Sequence, residues 1–227
     1  MTFDILFEDD HILAIYKPAG YFVHRTKLDY QAETLVMPLL RDQIGQKVYP
    51  VHRLDRKTAG LLLMAKDEES QKAFNDMFMA GSVKKTYLAL VRGWAPESFE
   101  IDYAIENDRG KLQEALTHGK SLAQYEIPIS SGKHPTSRYS LVELYPQTGR
   151  QHQLRKHMSH IFHPILGDRP HGCNKQNRFF LNQFQLNDML LHAKNLSFTH
   201  PFSGKLVSID FSPRGEFNRI KKILETP

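Results

Sequence analysis

The sequence contains a single cysteine, Cys173, so no disulfide bond can form within this chain of 227 residues. A count this low is typical of proteins that fold in a reducing compartment. The N-terminal stretch MTFDILFEDD is acidic and lacks the basic region of a secretory signal peptide. No apolar run approaches the roughly 20 residues that a membrane-spanning helix requires. We therefore expect a cytoplasmic protein that does not use a membrane.

Motifs for nucleotide cofactors and metal ions are also missing. The sequence has neither a P-loop nor a GxGxxG stretch followed by a distant acid. Histidines crowd residues 152–163, but their HxxxxH and HxxH spacings lack the i,i+4 pairing of a zinc-binding helix. No acidic or thiolate ligand accompanies them. We therefore predict no cofactor and no metal site.

The charge balance is basic, with 30 lysines and arginines against 25 aspartates and glutamates and a net charge of +5. This balance suits a polyanionic partner such as nucleic acid. Many basic proteins bind no nucleic acid, so charge alone leaves this question open.

The hydrophobic pattern predicts strands that follow one another along the chain, with few helices between them. The predicted strands are FDILFED, HILAIYKP, GLLLMAK, KKTYLALVRGW, TSRYSLVELYP, LLHAKNLSFTHP and KLVSIDFSP. The predicted helices are 33–45, 68–79, a basic helix starting near Gly149, and RGEFNRIKKILE. Residues 96–135 predict only short strands and turns. The fold class is therefore α+β, with a mixed, mainly antiparallel central sheet and flanking helices in one domain.

The stretch HRLDRKTAG, residues 52–60, places an aspartate among cations just before an apolar strand. Arg53, Arg56 and Lys57 favour the charged form of Asp55. An ionised, well-held carboxylate can act as a nucleophile or a base. A structural ion pair at a turn explains the same residues, and from this stretch alone it is the simpler interpretation.

Two further basic stretches allow two interpretations each. In TGRQHQLRKH, a helix starting near Gly149 would place His152 and Arg155 on one face and Arg150 in the first turn, where an anion is favoured. The alternative is a solvated basic face. In KKTY, Tyr87 is either a core residue or stacks on a base while the preceding lysines contact phosphates.

Taken together, YKPAG, HRLDRKTAG, KKTY and TGRQHQLRKH resemble, in this order, the RluA-type pseudouridine synthases. The resemblance continues through HPILGD and LLHAKNLSFTHP, so it covers nearly the whole chain. The family's common HRLDxxTSG motif is changed at one point, where Ala59 replaces the serine. The resemblance implies the pseudouridine synthase fold with a central catalytic cleft. It also implies one catalytic domain over residues 1–227, without the S4-like RNA-binding domain of many relatives.

The resemblance implies that Asp55 is the catalytic aspartate. It would attack the ribose C1′ or remove the C2′ proton, and attack on C6 of the base is an older proposal. Arg155 would pair with this carboxylate, and Tyr87 would pack on the target base. No cofactor or metal is implied. The pocket would be lined by Lys17, Pro18 and Leu54.

The resemblance also implies an RNA substrate whose target uridine must be extruded from a stem. Arg53 would enter the RNA, while Lys84, Lys85, Arg150 and His152 would contact it. The stretches GYFVHRTKLD, RDQIGQKVYPVHRLDR and SGKHPTSRYSLVELYPQTGRQHQLRKH most resemble members that act on tRNA at uridine 65, as monomers. The alternatives are the same chemistry on ribosomal RNA, a catalytically silent RNA-binding protein, and a zinc-dependent nuclease.

Overall fold

The computed structural model describes residues 2–24 and 34–226. In chain order, its strands are β1 (Ile5–Glu8), β2 (Ile12–Lys17), β3 (Tyr49–Pro50), β4 (Ala59–Ala65), β5 (Lys84–Arg92), β6 (Ser98–Asp102), β7 (Ile105–Glu106), β8 (Leu112–Gln113), β9 (Leu116–Ile127), β10 (Ser137–Pro146), β11 (Leu191–Thr199) and β12 (Leu206–Asp210). Its helices are α1 (Val36–Ile44), α2 (Glu68–Met79), α3 (Gln153–His160), α4 (Asn174–Phe184) and α5 (Glu216–Glu225).

The chain forms two compact units, and the prediction of a single domain stays a prediction. The first unit comprises Met1–Lys85 and Ala193–Ser212, and the second comprises Thr86–His192 and Pro213–Pro227. Among the described residues, no helix is both long enough and apolar enough to cross a membrane.

The first unit is built on a sheet with the strand order β1-β2-β4-β11-β12, and β3 pairs with β4. Strands β1 and β2 form the predicted hairpin, closed by the Asp9 carboxylate, which accepts a hydrogen bond from the Ile12 backbone N–H at 2.8 Å. Strand β4 is buried along nearly its whole length, as its apolar run predicts. Helix α2 packs Phe74, Met77 and Phe78 into this core. Its N-cap is the predicted Asp67, which accepts from the Ser70 backbone N–H at 2.7 Å.

Gly60, near the start of β4, lets the backbone of this strand pass very close to the backbone of Ala193. Its φ is +119°, and a Cβ there would lie 2.3 Å from the Ala193 carbonyl oxygen. Only glycine fits this backbone conformation and this close approach without a clash. The chain can therefore pass from the turn at 55–58 directly into the buried strand β4.

The second unit has a four-stranded antiparallel sheet with the order β5-β10-β9-β6. Its two faces carry separate apolar clusters. Tyr87, Ala89 and Val91 lie in the cluster that contains residues of α3, which confirms the predicted single face of this strand. Leu88 and Leu90 point into the opposite cluster, which contains residues of α4 and α5.

Most predicted elements are confirmed, and two predictions lie partly outside the described residues. The helix predicted over 33–45 runs from Val36 to Ile44 and ends at Gly45 with φ +68°, whereas residue 33 is not among those described. Of the stretch GYFVHRTKLD, residues 25–29 also lie outside the described part. The C-terminal helix packs on the second unit's core through Phe217, Ile220 and Leu224.

The helix predicted to start near Gly149 begins four residues later, at Gln153, so that prediction is wrong. His152 is the N-cap and adopts a left-handed conformation, with φ 54°. The buried Gln153 side chain holds the preceding loop, because its Oε1 accepts from the Thr148 hydroxyl at 2.7 Å and from the Arg150 backbone N–H at 3.0 Å. Arg150 is therefore not in the first turn, and His152 does not share a helical face with Arg155.

Two elements differ from the sequence-based expectation. Residues 116–127 form one strand of 12 residues rather than several short ones. The polar side chains exposed on β9 hide its alternation, and pairing with β10 over ten residue pairs stabilises it. Helix α4 has no counterpart among the predicted elements, because polar residues surround its few core positions, such as Phe180.

Candidate functional site

Asp55 lies in a tight turn just before the buried strand β4. Arg53 is exposed, Leu54 is buried with 7% exposure, and Asp55 is half-buried. The Thr58 backbone N–H donates to the Asp55 carbonyl oxygen at 3.0 Å, which closes the turn. The turn therefore presents the Arg53 side chain to solvent and anchors itself through Leu54.

The Lys17 side chain is fully buried and contacts this turn. Lys17 is the last residue of β2 and pairs with Gly60 of β4. Its Nζ donates to the carbonyl oxygens of Pro18 at 3.0 Å, Tyr21 at 2.9 Å and Arg56 at 3.1 Å. Three acceptors match the three N–H donors of an ammonium group. Lys17 thus ties the YKPAG segment to the residue that follows Asp55.

The electrostatics of Lys17 are set by burial and by Asp55. Burial lowers the pKa of Lys17 from its ordinary 10.5 to about 7, and the nearby Asp55 carboxylate opposes that shift. The buried Lys17 amine and the half-buried Asp55 carboxylate therefore lie close enough to interact electrostatically. The prediction that Lys17 and Pro18 line a pocket stays a prediction, but the structure joins both to the Asp55 turn.

A second link fastens the same two segments. The Gly20 backbone N–H donates to the Arg56 carbonyl oxygen at 2.8 Å, and Arg56 Nε donates to the Gly20 carbonyl oxygen at 3.1 Å. The Arg56 guanidinium also lies 4.9 Å from the Phe22 ring centroid. Arg56 therefore helps to hold the turn through these contacts, although its side chain, like that of Arg53, is exposed.

The Lys17 environment predicts a pH dependence of stability. The unfolded chain keeps the Lys17 proton up to about 10.5, whereas the folded protein releases it near 7. Between these values the unfolded state binds more protons, so the free energy of unfolding should rise with pH, by about 1.4 kcal/mol per unit. Urea unfolding of wild type and of Lys17→Met at several pH values in this window tests the prediction. An equal slope in both proteins would contradict it.

His52 and the two lysines of KKTY lie in the same unit. His52 Nε2 accepts from the Leu63 backbone N–H at 2.9 Å, and its ring stacks on Phe78 at 4.7 Å. Burial, and secondarily the charge of Lys85, lower the pKa of His52 to about 3, so its imidazole is neutral. Lys84 is exposed and Lys85 is half-buried. Of the two lysines, Lys84 is the more accessible to a phosphate.

In the second unit, Arg155 forms a buried bidentate ion pair with Asp168. Arg155 Nε donates to Asp168 Oδ2 at 2.8 Å, and Arg155 Nη2 donates to Asp168 Oδ1 at 2.8 Å. The two side chains are 7% and 1% exposed. Such a fork fixes the plane and direction of a guanidinium, which has five N–H donors in all. The predicted pairing of Arg155 with Asp55 stays a prediction.

Asp168 is a residue that sequence reasoning missed. Its position is fixed by Asn177, whose Oδ1 accepts from the Gly167 backbone N–H at 2.9 Å and whose Nδ2 donates to the Asp168 carbonyl oxygen at 2.6 Å. A Cβ on Gly172 would lie 2.0 Å from that same oxygen, so the loop closes only around glycine. The signal for Asp168 in the sequence is the stretch HPILGD, which places an acidic residue in a loop rich in glycine and proline.

The other predicted residues of this unit lie around α3. Tyr87 is half-buried and packs against the cluster that includes Leu154 of this helix, on the same face of the sheet. Arg150 Nε donates to the Glu114 carbonyl oxygen at 2.9 Å. His152 Nδ1 lies 2.9 Å from His171 Nε2. The structure therefore gathers Tyr87 and the Arg155 helix on one face, and places Arg150 and His152 in the loop before it.

No group of three metal-ligating side chains is placed to hold a metal ion in the described ranges 2–24 and 34–226.

Comparison with known proteins links these residues to one family. Residues 11–160 match the model of the RNA pseudouridylate synthase family. The chain is 46% identical to tRNA pseudouridine synthase C of Vibrio parahaemolyticus, covering 89% of this chain and 87% of that protein. It is 47% identical to the protein of the same name from Haemophilus ducreyi, covering 92% and 90%. It is 46% identical to the one from Pectobacterium carotovorum, covering 91% of this chain but only 58% of that relative.

Solved structures share the fold. Human RNA Pseudouridylate Synthase Domain Containing 4 superposes with a TM-score of 0.76 at 23% identity, covering 97% of this chain and 92% of that one. Human RNA Pseudouridylate Synthase Domain Containing 1 gives 0.73 at 22% identity, covering 100% and 96%. The predicted α+β pseudouridine synthase fold is confirmed.

Proposed function

This chain belongs to the RNA pseudouridylate synthase family and is a pseudouridine synthase, and from that premise we propose that it converts uridine 65 of tRNA into pseudouridine. The proposal of a tRNA substrate rests on two relatives named tRNA pseudouridine synthase C. They are 46% and 47% identical to this chain over most of their length and of its length. A cytoplasmic location follows from a tRNA substrate.

Asp55 is the catalytic group in this proposal. The reaction breaks the bond between N1 and the ribose C1′, rotates the base and joins C5 to C1′. The C5 proton is released to solvent, and N1 gains one proton. No atom is gained or lost overall, so an isomerase needs only to hold the base and to supply a nucleophile or base at the sugar. Asp55 attacks C1′ or removes the C2′ proton. Its fixed turn and the nearby Lys17 support this role, because a held carboxylate is pre-organised for reaction.

The wider site also fits RNA chemistry. A carboxylate facing a polyanion repels phosphate, so it is a liability in a protein that only binds RNA. Arg155, aimed by Asp168, supplies donors to a carboxylate or to developing negative charge. Tyr87 presents a ring on which the uracil can stack. Lys84, Lys85, Arg150 and His152 remain the proposed RNA contacts, with phosphate contacts positioning the substrate.

The test is tritium release from tRNA transcribed with tritium at C5 of uridine. Wild type should release the label, and carbodiimide-blocked primer extension should stop at position 65. Tritium release from ribosomal RNA but not from tRNA would mean that the enzyme performs the same reaction on ribosomal RNA. Failure to release tritium from either RNA would overturn the proposed function.

Arg53 should matter for extruding the base rather than for chemistry. Flipping a paired uridine costs a few kcal/mol, and an exposed arginine can fill the vacated space. Arg53→Ala should therefore slow turnover on a stem substrate by about 10- to 100-fold. The defect should shrink on an RNA in which the target uridine is mismatched. Single-turnover rates on the two RNAs measure this, with the exposed Arg41→Ala as the control, and equal defects on both RNAs would refute it.

A further inference from the structure

The second unit carries a basic groove that the proposed chemistry does not use. It has a volume of about 700 Å³ and lies between the end of β5, the segment 131–138 and the start of α4. Its charged lining consists of four cations, one histidine and one carboxylate: Arg92, Lys133, Arg138, Lys175, His134 and Glu126. We call this the 131–138 groove.

The cations of the groove are exposed, and most form no ion pair with a carboxylate of the described residues 2–24 and 34–226. Only Arg138 pairs with Glu126, at 3.3 Å, and its guanidinium stacks on Trp94 at 4.0 Å. Within the described part of the chain, Arg92, Lys133 and Lys175 form no ion pair. Like charges gathered on one surface repel one another unless an anion lies between them. The groove is therefore electrostatically prepared for a negatively charged ligand.

The floor of the groove is a fixed set of polar groups. Gln176 Nε2 donates to the Ser131 hydroxyl at 2.7 Å, and Gln176 Oε1 accepts from the Tyr139 hydroxyl at 2.9 Å. The hydroxyls of Ser137 and Ser131 lie 2.7 Å apart. Gln176 and Ser137 are 6% and 5% exposed. The segment that contains Lys133 is therefore held by hydrogen bonds at both ends, at Ser131 and Ser137.

The groove lies at the far end of β5 from Tyr87 and on the opposite face of the sheet, because Arg92 shares the face of Leu88 and Leu90. Arg92 and Tyr87 are five residues apart on this strand, a separation of about 16 Å at the rise of an extended chain. That is too far for both to touch one nucleotide. An anion in the groove and a base on Tyr87 would therefore belong to different nucleotides of one polymer.

We infer that the 131–138 groove binds phosphodiester groups of the RNA substrate, several nucleotides away from the reacting uridine. The inference rests on the proposed function, since it takes RNA as the ligand. Contacts of this kind raise affinity and set the position of the stem without acting in the chemical step. Neutralising the cations should therefore raise KM and leave kcat at saturating RNA unchanged.

The charge test uses the variant Lys133→Gln/Lys175→Gln. Its matched control is Lys72→Gln/Lys205→Gln, which removes two charges from exposed lysines of the first unit. Equilibrium binding of tRNA is measured over a range of salt concentrations. Each lost phosphate contact should reduce the slope of log Kd against log salt by about 0.7 to 0.9. The groove variant should lose slope and affinity, and the control should keep the wild-type slope. Equal slopes in the two variants would overturn the inference.

A local reporter is available, because the only cysteine of the chain, Cys173, lines the groove and is half-buried. Bound tRNA should slow the alkylation of Cys173 by N-ethylmaleimide several-fold in wild type and in the control, but not in the groove variant. Alkylation unaffected by bound tRNA would count against the inference. Equal protection by inorganic phosphate alone would indicate a small-anion site and would also overturn the assignment to RNA.

These measurements distinguish the proposed pseudouridine synthase activity on tRNA from the proposed RNA binding by the 131–138 groove. Wild type that binds tRNA with the expected slope and protection but releases no tritium would contradict the proposed function and support the groove. Wild type that releases tritium while the groove variant behaves like the control would support the function and overturn the groove. Wild type that does not bind tRNA would overturn both.

Discussion

Replacing Asp55 by asparagine should reduce tritium release from tRNA by about 10⁴-fold or more, while the affinity for tRNA stays unchanged or increases. Asparagine has nearly the same shape as aspartate, but it can neither attack C1′ nor remove a proton. The loss of a negative charge beside a polyanion also removes a repulsion. The effect should therefore appear in the chemical step alone, with substrate binding intact.

The control for this experiment is Asp42→Asn, the same substitution at an exposed position of α1. It should leave turnover and affinity at wild-type values. Circular dichroism of Asp55→Asn should match wild type, because the backbone of the turn is held by Thr58 and Arg56 rather than by the carboxylate alone. Product formation by Asp55→Asn at a substantial fraction of the wild-type rate would rule out the assigned role.

Much of the fold follows from local patterns in the sequence. The hairpin at Asp9, the cap at Asp67 and the alternation along β5 are each decided by neighbouring residues, so periodicity and turn chemistry predict them. Strand β9 was underestimated because its stability comes from β10, a partner that periodicity in residues 116–127 does not reveal. Helix α4 was missed for a similar reason, since Phe180 becomes a core residue only when the sheet is present.

The site shows the same division between local and distant information. The HRLD stretch predicts a catalytic role for Asp55 by its resemblance to a family motif. No pattern near it reveals that the buried Lys17 contacts this turn. The bond from Lys17 to Arg56 joins residues 39 positions apart in the sequence. The start of α3 was misplaced because the Gln153 side chain bonds the backbone of the loop before it, which helix propensity does not encode. Polar contacts between residues far apart in the sequence therefore could not be predicted from the sequence alone.

The ion pair between Arg155 and Asp168 predicts that stability and activity can be separated. Asp168→Asn removes the charge of the carboxylate that holds the Arg155 fork, and breaking such a buried pair costs about 3–5 kcal/mol of folding free energy. It should also lower kcat more than it changes KM, because the fork that orients Arg155 is lost. The double variant Arg155→Met/Asp168→Leu removes both charges and refills the space with apolar groups. Its free energy of unfolding should lie closer to wild type than that of the single variant.

The decisive comparison is activity in that double variant. If Arg155 acts on the reacting groups, the restored stability should bring no recovery of tritium release, since the guanidinium itself is absent. Arg155→Lys provides the intermediate case, because it keeps the charge but not the planar fork, and its kcat should stay low. Urea unfolding and single-turnover rates on all four proteins supply the data. Recovery of activity together with stability in the double variant would mean that Arg155 serves the fold alone, because then a neutral, well-packed pair would suffice.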